Sequence, residues 1–306
     1  MERKFNFESS LLKRIEKYND YIFYNTVIYS VSAISNPKNN TLIFANALKH
    51  EDIENLKKVK NSIIILNKQY NNINFEENYI LYVDRPRKEY AKILKFILDN
   101  NKEEDNNYIF KSGYYIGKNV LIGENTIIEP FVFIDSNSVI GKNCIIKSGA
   151  KIRKNVIIGN NCIIKENCVI GSDGFGVERD FDGITYKIPH LGGVIIGDSV
   201  EVGALACIAQ GTIEPTVIEN YVKVDDCVFI AHNVKIKKGT FIIANSQVSG
   251  SVEIGENCWV SPNACIKNGI KIGNNSLIGI GSVVINDIKE NNVVIGNPAR
   301  FLKNIK

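Results

Sequence analysis

The chain has 306 residues, of which 44% are apolar and 23% are charged, the proportions of an ordinary soluble globular protein. This composition excludes collagen-like, mucin-like and wholly disordered proteins. The formal net charge of +4 is too small to indicate nucleic-acid binding by itself, and only three histidines are available for imidazole chemistry.

The first residues predict neither an export signal nor a membrane anchor. Charged residues interrupt the apolar positions in Met1–Phe5 and in Leu11–Lys17, and no stretch approaches the roughly 20 apolar residues of a membrane helix. We therefore expect a cytoplasmic protein. The seven cysteines are odd in number and contain no CxxC pair, which argues against a disulfide framework and against a zinc knuckle.

Residues 1–107 are predicted to form a small α/β domain. The runs Ile63–Leu66 and Tyr79–Val83 are typical of buried strands. An amphipathic helix is predicted by apolar residues at i, i+3, i+4 and i+7, namely Tyr90, Ile93, Leu94 and Ile97, and a second helix by Ile53, Leu56 and Val59. The polar run from Asn100 to Asn107 predicts a linker.

A six-residue period of β-branched residues begins at Ile116. Ten isoleucines run from Ile116 to Ile170, a short series runs from Ile196 to Ile208, and twelve further positions extend from Ile218 to Val284. Neither a helix nor an ordinary strand has this period. We expect a mainly β chain with a left-handed parallel β-helix of hexapeptide repeats at residues 108–290, in coils of eighteen residues, and a tail at 291–306.

The period also gives an interpretation of the cysteines. Cys144, Cys162, Cys168 and Cys258 each follow a repeat aliphatic residue by four positions. We interpret them as small residues that fill the interior of a coil corner, not as thiol nucleophiles.

Two register breaks mark loops in the predicted solenoid. The first spans residues 171–193, and the second lies near Gly211–Pro215. Because loops on a regular scaffold often carry function, these segments are candidates for a binding site.

The strongest candidate for chemistry is His232, two residues past a repeat aliphatic residue. Asp225 lies seven residues earlier, where its carboxylate can orient an imidazole base. Gly250 follows His232 by eighteen residues, so we expect it directly beside His232 on the next coil, about 4.8 Å away. There its N–H could meet a developing oxyanion, and Asn233 adds a polar neighbour. A surface histidine without function remains the alternative.

Several of these motifs resemble the bacterial UDP-3-O-acylglucosamine N-acyltransferase family of lipid A synthesis. The resemblance extends to about residue 285, and its residues are Leu42–Asn46, Val83–Pro86, Gly171–Gly176, Lys187–Pro189, Val222–Asp225 and Ile230–Asn233. It implies that His232 is the general base, Asp225 its partner and Gly250 the oxyanion donor. It also implies a homotrimer with active sites between neighbouring solenoids and an N-terminal domain that holds uridine.

The resemblance further implies a set of substrate contacts. These are Asn46, Phe44, Asp173, Gly174, Phe175, Lys187, His190 and Asn233. Other interpretations stay open: a turn asparagine for Asn46, a core phenylalanine for Phe44 and a solvated loop histidine for His190. No metal and no tightly bound cofactor are expected, because the acyl group arrives as a thioester on acyl carrier protein or coenzyme A.

The chain departs from the family in the region that should bind the acyl donor. The family has a histidine about one coil past Gly250, where this chain has Lys267, Asn268 and Gly269. The C-terminal segment Gly296–Arg300 is similar to the tails of sugar acetyltransferases that use acetyl-coenzyme A. Gly269 and Arg300 are therefore the candidate donor contacts, and a solvated tail is the alternative for Arg300.

Three functions remain open from the sequence. The first is acyl transfer from a thioester to the amine of a nucleotide-linked amino sugar, for lipid A or another surface glycan. The second is acetyl-coenzyme A-dependent N- or O-acetylation of a sugar. The third is a non-catalytic solenoid that serves as a scaffold, which the repeats alone support equally well.

Overall fold

A computed structural model describes residues 4–18, 26–73, 75–101 and 108–305. The chain divides into two compact units. The first consists of residues 1–104 together with Gly176–Leu191, and the second of residues 105–175 together with Gly192–Lys306. Most of the predicted linker, residues 102–107, lies outside the described residues, so the predicted boundary at residue 107 stays a prediction.

The first unit is an α/β unit, as predicted. Its elements up to residue 101 are β1 (Phe7–Glu8), β2 (Val27–Ile28), β3 (Ser30–Val31), β4 (Thr41–Ala45), α1 (His50–Leu56), β5 (Ile63–Asn67), β6 (Tyr79–Val83) and α2 (Pro86–Asn100). Short 3-10 helices lie at Ser9–Arg14, Glu16–Tyr18 and Lys68–Tyr70.

Strands β3 to β6 form a parallel sheet in sequential order. The continuous apolar run of β5 is fully buried from Ile63 to Leu66, as expected of a strand covered on both faces. Helix α2 begins at Pro86, a residue suited to the first helical turn, and buries the predicted apolar stripe from Tyr90 to Ile97. The second predicted helix, α1, ends at Leu56, before Val59.

The second unit begins with a series of short strands. They are β7 (Ile109–Lys111), β8 (Tyr114–Ile116), β9 (Leu121–Ile122), β10 (Ile127–Ile128), β11 (Phe133–Ile134), β12 (Val139–Ile140), β13 (Ile145–Ile146), β14 (Lys151–Ile152), β15 (Val156–Ile158), β16 (Ile163–Ile164) and β17 (Val169–Ser172). The chain then forms a hairpin of the first unit, β18 (Val177–Arg179) and β19 (Thr185–Lys187).

The second unit resumes after this hairpin. Its strands are β20 (Val194–Ile196), β21 (Glu201–Val202), β22 (Cys207–Ala209), β23 (Thr216–Ile218), β24 (Lys223–Val224), β25 (Phe229–Ile230), β26 (Lys235–Ile236), β27 (Phe241–Ile242), β28 (Gln247–Val248), β29 (Glu253–Ile254), β30 (Trp259–Val260), β31 (Cys265–Ile266), β32 (Lys271–Ile272), β33 (Leu277–Ile278), β34 (Val283–Val284), β35 (Asn292–Ile295) and β36 (Arg300–Asn304).

These strands stack into three sheets that are parallel except at β7 and β36, so the predicted β-helix is confirmed. Regular coils repeat every eighteen residues, as in the pairing of Ile128 with Ile146 and of Ile146 with Ile164. The β-branched side chains point inward, where their stiff χ1 angles suit a pleated stack. Asparagines occupy left-handed corner positions, for example Asn119 at φ 56° and Asn137 at φ 60°.

The four interior cysteines are fully buried, which confirms that they fill the coil corners. Burial raises the pKa of the Cys168 thiol to about 12, because a thiolate is poorly solvated in an apolar interior. Cys168 therefore acts as a small apolar residue in the solenoid.

Both predicted register breaks are confirmed. At the first, Val169 pairs with Cys207, and a bulge lies between Ile170 and Ser172. At the second, Cys207 pairs with Phe229, which is 22 residues later instead of eighteen. Four extra residues are thus inserted next to the coil that carries His232.

The C-terminal segment is more ordered than a tail. Strand β35 pairs in parallel with β33, and β36 turns back to pair antiparallel with β35. Among the described residues, no helix is long and apolar enough to cross a membrane.

Candidate functional site

His232 and Gly250 lie on neighbouring coils, as the eighteen-residue spacing predicts. His232 follows β25 and Gly250 follows β28, and these strands pair through Phe229–Gln247 and Ile230–Val248. The Ser251 N–H donates to the His232 carbonyl at 2.9 Å. Two equivalent corner positions are thereby aligned.

The His232 ring lies directly against the Gly250 backbone. A Cβ atom added to Gly250 would lie 2.7 Å from His232 Cε1 and 2.9 Å from Nε2. Only glycine leaves room for this approach. The Gly250 carbonyl accepts from the Gly269 N–H at 3.0 Å, whereas the Gly250 N–H has no acceptor among the residues that the structure describes.

The other ring nitrogen of His232 faces a side-chain amide. His232 Nδ1 lies 2.9 Å from Asn233 Oδ1. Asn233 Oδ1 also accepts from the Thr212 N–H at 3.2 Å and from the Thr212 hydroxyl at 3.0 Å. Thr212 was not identified from the sequence, because its position depends on the insertion at the second register break.

Asp225 is half-buried, and one of its carboxylate oxygens accepts from the Ala244 N–H at 3.2 Å. The role that the resemblance implies for it, partner of the imidazole, stays a prediction.

Asn268 is a further residue at this corner that the sequence analysis did not single out as functional. With its amide oriented to satisfy both groups, the nitrogen donates to the Gly250 carbonyl at 2.8 Å and the oxygen accepts from the Gly269 N–H at 3.2 Å. It follows Gly250 by one coil, so the spacing that connects His232 to Gly250 would have found it. Asn268 thus holds the Gly250 peptide.

Nearer the N-terminal end of the solenoid, Asp173 accepts from Gln210 Nε2 at 2.9 Å. Both residues line a cleft of about 440 Å³ with Lys151 and Arg153. Gly174 is buried, and Phe175 is 91% exposed. An exposed phenylalanine at the root of a loop is available to a ligand.

In the first unit, Asn46 lines a cleft of about 250 Å³ whose other walls include three cations, Arg85, Arg87 and Lys88. These cations were not recognised from the sequence, although Arg85 lies in a motif that carries the resemblance. Phe44 packs on Tyr90 with ring centroids 4.5 Å apart. It is therefore at least partly a core residue.

The predicted residues of Gly176–Leu191, here called the hairpin segment, differ in exposure. Lys187 is exposed, whereas His190 is only 4% exposed. His190 Nδ1 lies 2.9 Å from the Ile188 carbonyl oxygen, and its Cε1 would lie 2.8 Å from a Cβ atom on Gly176. The interpretation of His190 as a solvated loop histidine is therefore wrong.

Ion pairs hold the hairpin segment to the start of α2. Arg85 lies 3.3 Å from both Glu178 and Asp180, and Lys88 lies 2.8 Å from Asp180. The hydrogen bond from Lys88 lowers the pKa of the Asp180 carboxyl, and the Phe181 N–H acts in the same direction. Two charged segments that are distant in sequence thereby become parts of one unit.

The two predicted donor contacts lie at different places of the second unit. Gly269 has φ +75°, and a Cβ atom added there would meet no atom within 4 Å. Arg300 begins β36, is exposed, and donates from Nη1 to the Ala299 carbonyl at 3.1 Å. Within the described ranges, no group of three or more His, Cys, Asp and Glu side chains could hold a metal ion.

Residues 137–172 match the family described as bacterial transferase hexapeptide (six repeats). A UDP-3-O-acylglucosamine N-acyltransferase from Campylobacter lari is 41% identical over 254 residues, which cover 79% of this chain and 76% of that protein. UDP-3-O-acylglucosamine N-acyltransferase 2 from Legionella pneumophila (strain Lens) is 53% identical over 87 residues, or 28% of this chain. That match spans about a quarter of the Legionella protein (25%).

Two solved structures are also similar. A UDP-N-acetylglucosamine acyltransferase from Bacteroides fragilis is 27% identical with a TM-score of 0.58, covering 64% of this chain and 74% of that chain. The corresponding enzyme from Francisella novicida is 26% identical with a TM-score of 0.59, covering 64% and 70%. The aligned length of 254 residues exceeds the stretch from residue 108 to residue 305, so the sequence similarity reaches beyond the solenoid.

Proposed function

Because the chain belongs to the UDP-3-O-acylglucosamine N-acyltransferase family, we propose that it transfers an acyl group from a thioester to the amino group of a nucleotide-linked amino sugar. The observation that carries this proposal is that a partly exposed imidazole, His232, lies against the Gly250 backbone at a corner of the solenoid. Lipid A synthesis is the pathway that the resemblance in sequence implies, and we propose it for this chain.

In the proposed reaction, His232 acts as the general base through Nε2. The sugar amine attacks the thioester carbonyl while Nε2 accepts its proton, and the new C–N bond forms. The carbonyl oxygen becomes an oxyanion that accepts from the Gly250 N–H. Collapse breaks the C–S bond, and the leaving thiolate takes up the proton from the protonated His232, which restores the base. Asp225 is proposed to stabilise the protonated imidazole.

We assign binding of the nucleotide part to the cleft around Asn46. Its cations Arg85, Arg87 and Lys88 each pair with a carboxylate of the hairpin segment in the single chain. A phosphate would share these donors with the carboxylates, since guanidinium and ammonium groups are strong donors to such anions. Phe44 remains a proposed contact at the edge of this region.

Other substrate contacts are proposed along the loop and the solenoid corner. Asp173, Gly174 and Phe175 are candidates on the solenoid, and Lys187 and His190 are candidates on the hairpin segment. Because His190 is buried, a role in holding the loop in place is favoured over direct contact with a sugar.

The acyl donor is proposed to be a thioester of acyl carrier protein or of coenzyme A. Gly269 supports a donor groove, because the space beside it is open to at least 4 Å. Acetyl-coenzyme A is the second candidate, which the segment Gly296–Arg300 and the absence of a histidine at residues 267–269 favour. In that case Arg300 would meet a phosphate of the coenzyme.

We further propose a homotrimer located in the cytoplasm. One solenoid face carries a row of outward apolar side chains on paired strands: Leu121, Val139, Ile157, Ile195 and Val217. Leu121 is 65% exposed and Ile157 44% exposed in the single chain, so packing copies around a threefold axis would bury apolar surface. Light scattering that finds a monomer would contradict this part.

A thiol-release assay tests the proposed reaction. The protein is mixed with nucleotide amino sugars and, in separate reactions, with acetyl-coenzyme A, a long-chain acyl-coenzyme A and a long-chain acyl carrier protein. Release that requires an amino sugar and a long acyl chain supports the first function. Release that requires an amino sugar and occurs with acetyl-coenzyme A but with neither long-chain donor supports the second function. No release with any combination of donor and sugar contradicts both functions.

A further inference from the structure

An uncharged side chain faces one ring nitrogen of His232. Its Nδ1 lies 2.9 Å from Asn233 Oδ1, and both residues belong to one corner of the solenoid. If the Asn233 amide is oriented with its oxygen towards His232, that atom is an acceptor. If the amide nitrogen faces His232 instead, it is a donor. The neighbours of the amide settle this question.

Thr212 determines the orientation of the Asn233 amide. The Thr212 N–H can only donate, and it lies 3.2 Å from Asn233 Oδ1. On the other side, Asn233 Nδ2 donates to the Glu214 carbonyl at 3.4 Å, and this carbonyl can only accept. The atom that faces His232 is therefore the amide oxygen, an acceptor.

An acceptor beside Nδ1 selects one tautomer of the neutral imidazole. Nδ1 must carry the proton to donate to Asn233 Oδ1, which leaves a lone pair on Nε2. The edge of the ring that contains Nε2 lies against Gly250. The lone pair of the base and the backbone of the neighbouring coil thus face the same place.

The insertion at the second register break makes this arrangement possible. At the equivalent corner of regular coils, asparagines bond to one another across coils, as Asn119 does to Asn137 at 3.1 Å. Next to the four extra residues, Thr212 on the preceding coil takes the place of the donor asparagine and donates to Asn233 Oδ1. Asn233 keeps the left-handed corner conformation, at φ 62°, but its oxygen is turned to His232.

We propose that Asn233, held by Thr212, is the positioning residue that fixes the tautomer of the base His232. The inference rests on the proposed acyl transfer for its kinetic consequence, but the tautomer itself is a property of the folded protein. It assigns to an amide the orienting role that the resemblance implies for the Asp225 carboxylate.

The test compares Asn233→Gly with Asn233→Asp. Glycine tolerates positive φ, so Asn233→Gly removes the amide without straining the corner. Asn233→Asp retains an oxygen acceptor. In long-range ¹H–¹⁵N NMR of the full-length protein labelled at histidine, the signal absent from His232→Gln identifies His232. We expect Nδ1–H in the wild type and in Asn233→Asp, and a shift towards Nε2–H in Asn233→Gly.

Kinetics give the second readout. We expect Asn233→Gly to lower kcat by about tenfold or more with little change in KM, because a base in the wrong tautomer cannot accept the proton. Asn233→Asp should recover most of kcat. Thr212→Val, which keeps the N–H donor, should have a smaller effect in the same direction.

The matched control is Asn263→Gly. Asn263 is an exposed corner asparagine at φ 56°, and we expect no change in its NMR tautomer or kcat. A wild-type Nε2–H tautomer would overturn the inference, as would a tautomer that responds to Asp225→Asn but not to Asn233→Gly. Absence of acyl transfer in the wild type would instead contradict the proposed function and leave the NMR result standing.

Discussion

Two histidines in different units make the same pair of contacts. His232 on the solenoid and His190 at the end of the hairpin segment both have Nδ1 2.9 Å from an oxygen atom. Both place Cε1 against a glycine, where an added Cβ would lie at 2.7 Å from His232 and at 2.8 Å from His190. A histidine on a glycine is therefore not by itself a sign of catalysis.

The two sites differ in what surrounds these shared contacts. The oxygen beside His190 is the Ile188 carbonyl in its own segment, and the ring is 4% exposed. The oxygen beside His232 belongs to a side chain, and the ring is only partly covered. A catalytic base needs a face of its ring open to the substrate. Of these two histidines, only His232 on the solenoid is partly exposed.

The largest expected effect comes from removing each imidazole. We expect His232→Ala to lower kcat for acyl transfer by about 10²–10⁴, the usual contribution of a general base. His190→Ala should leave kcat within a few-fold and lower the free energy of unfolding by about 1–3 kcal/mol, because it deletes a buried, hydrogen-bonded ring. Steady-state kinetics and urea unfolding measure the two quantities.

The opposite result would break the comparison. Unchanged transfer in His232→Ala would remove the assigned base and favour the scaffold interpretation. A large rise in KM for the nucleotide sugar in a stably folded His190→Ala variant would restore the substrate contact that the sequence predicts.

A medium effect is expected from the two glycines. Gly250→Ala puts a methyl group within 3 Å of the His232 ring, so the ring must move and we expect kcat to fall by about tenfold to a hundredfold. Gly176→Ala crowds His190 in the same way but should only destabilise the fold, by about 1–3 kcal/mol. Equal losses of kcat in both variants would indicate a general structural effect.

The smallest effect is expected from the ion pairs of the hairpin segment. The pKa of Asp180 is lower in the folded state, so its contribution to stability is present above its ordinary pKa, about 3.9. This contribution is lost as the pH falls through the lowered value. Lys88→Met should therefore lower Tm slightly near pH 7, and the difference from the wild type should shrink towards pH 3.

Lys95→Met is the control for this measurement, since Lys95 pairs with Asp99 on the same helix and not with the hairpin. Melting curves between pH 7 and pH 3 give the comparison. A Tm difference for Lys88→Met that grows as the pH falls would contradict the assigned ion pair.

The solenoid could be predicted from the sequence because its geometry is periodic. A six-residue spacing of β-branched residues specifies where each strand lies, and the eighteen-residue spacing places His232 beside Gly250. The same spacing would have identified Asn268. The contact of Thr212 with Asn233 could not be predicted, since it depends on the path of four inserted residues.

That the hairpin segment belongs to the first unit could not be predicted from the sequence, for a related reason. Its apolar content is low, and its partners on α2 are charged residues about 90 positions away, as in the pair of Arg87 with Glu178. No regular sequence spacing indicates which charges of opposite sign will pair when they are so far apart in the chain. The composition of the first unit therefore required the three-dimensional structure.

The division of the first unit into two chain segments has a consequence for synthesis. A ribosome that has translated up to residue 175 has synthesised the strands from β7 to β17 but none of the hairpin that pairs with α2. The N-terminal unit must wait for a later part of the polypeptide, although its first segment emerges before everything else. Its maturation on the ribosome is thereby tied to elongation through the start of the solenoid.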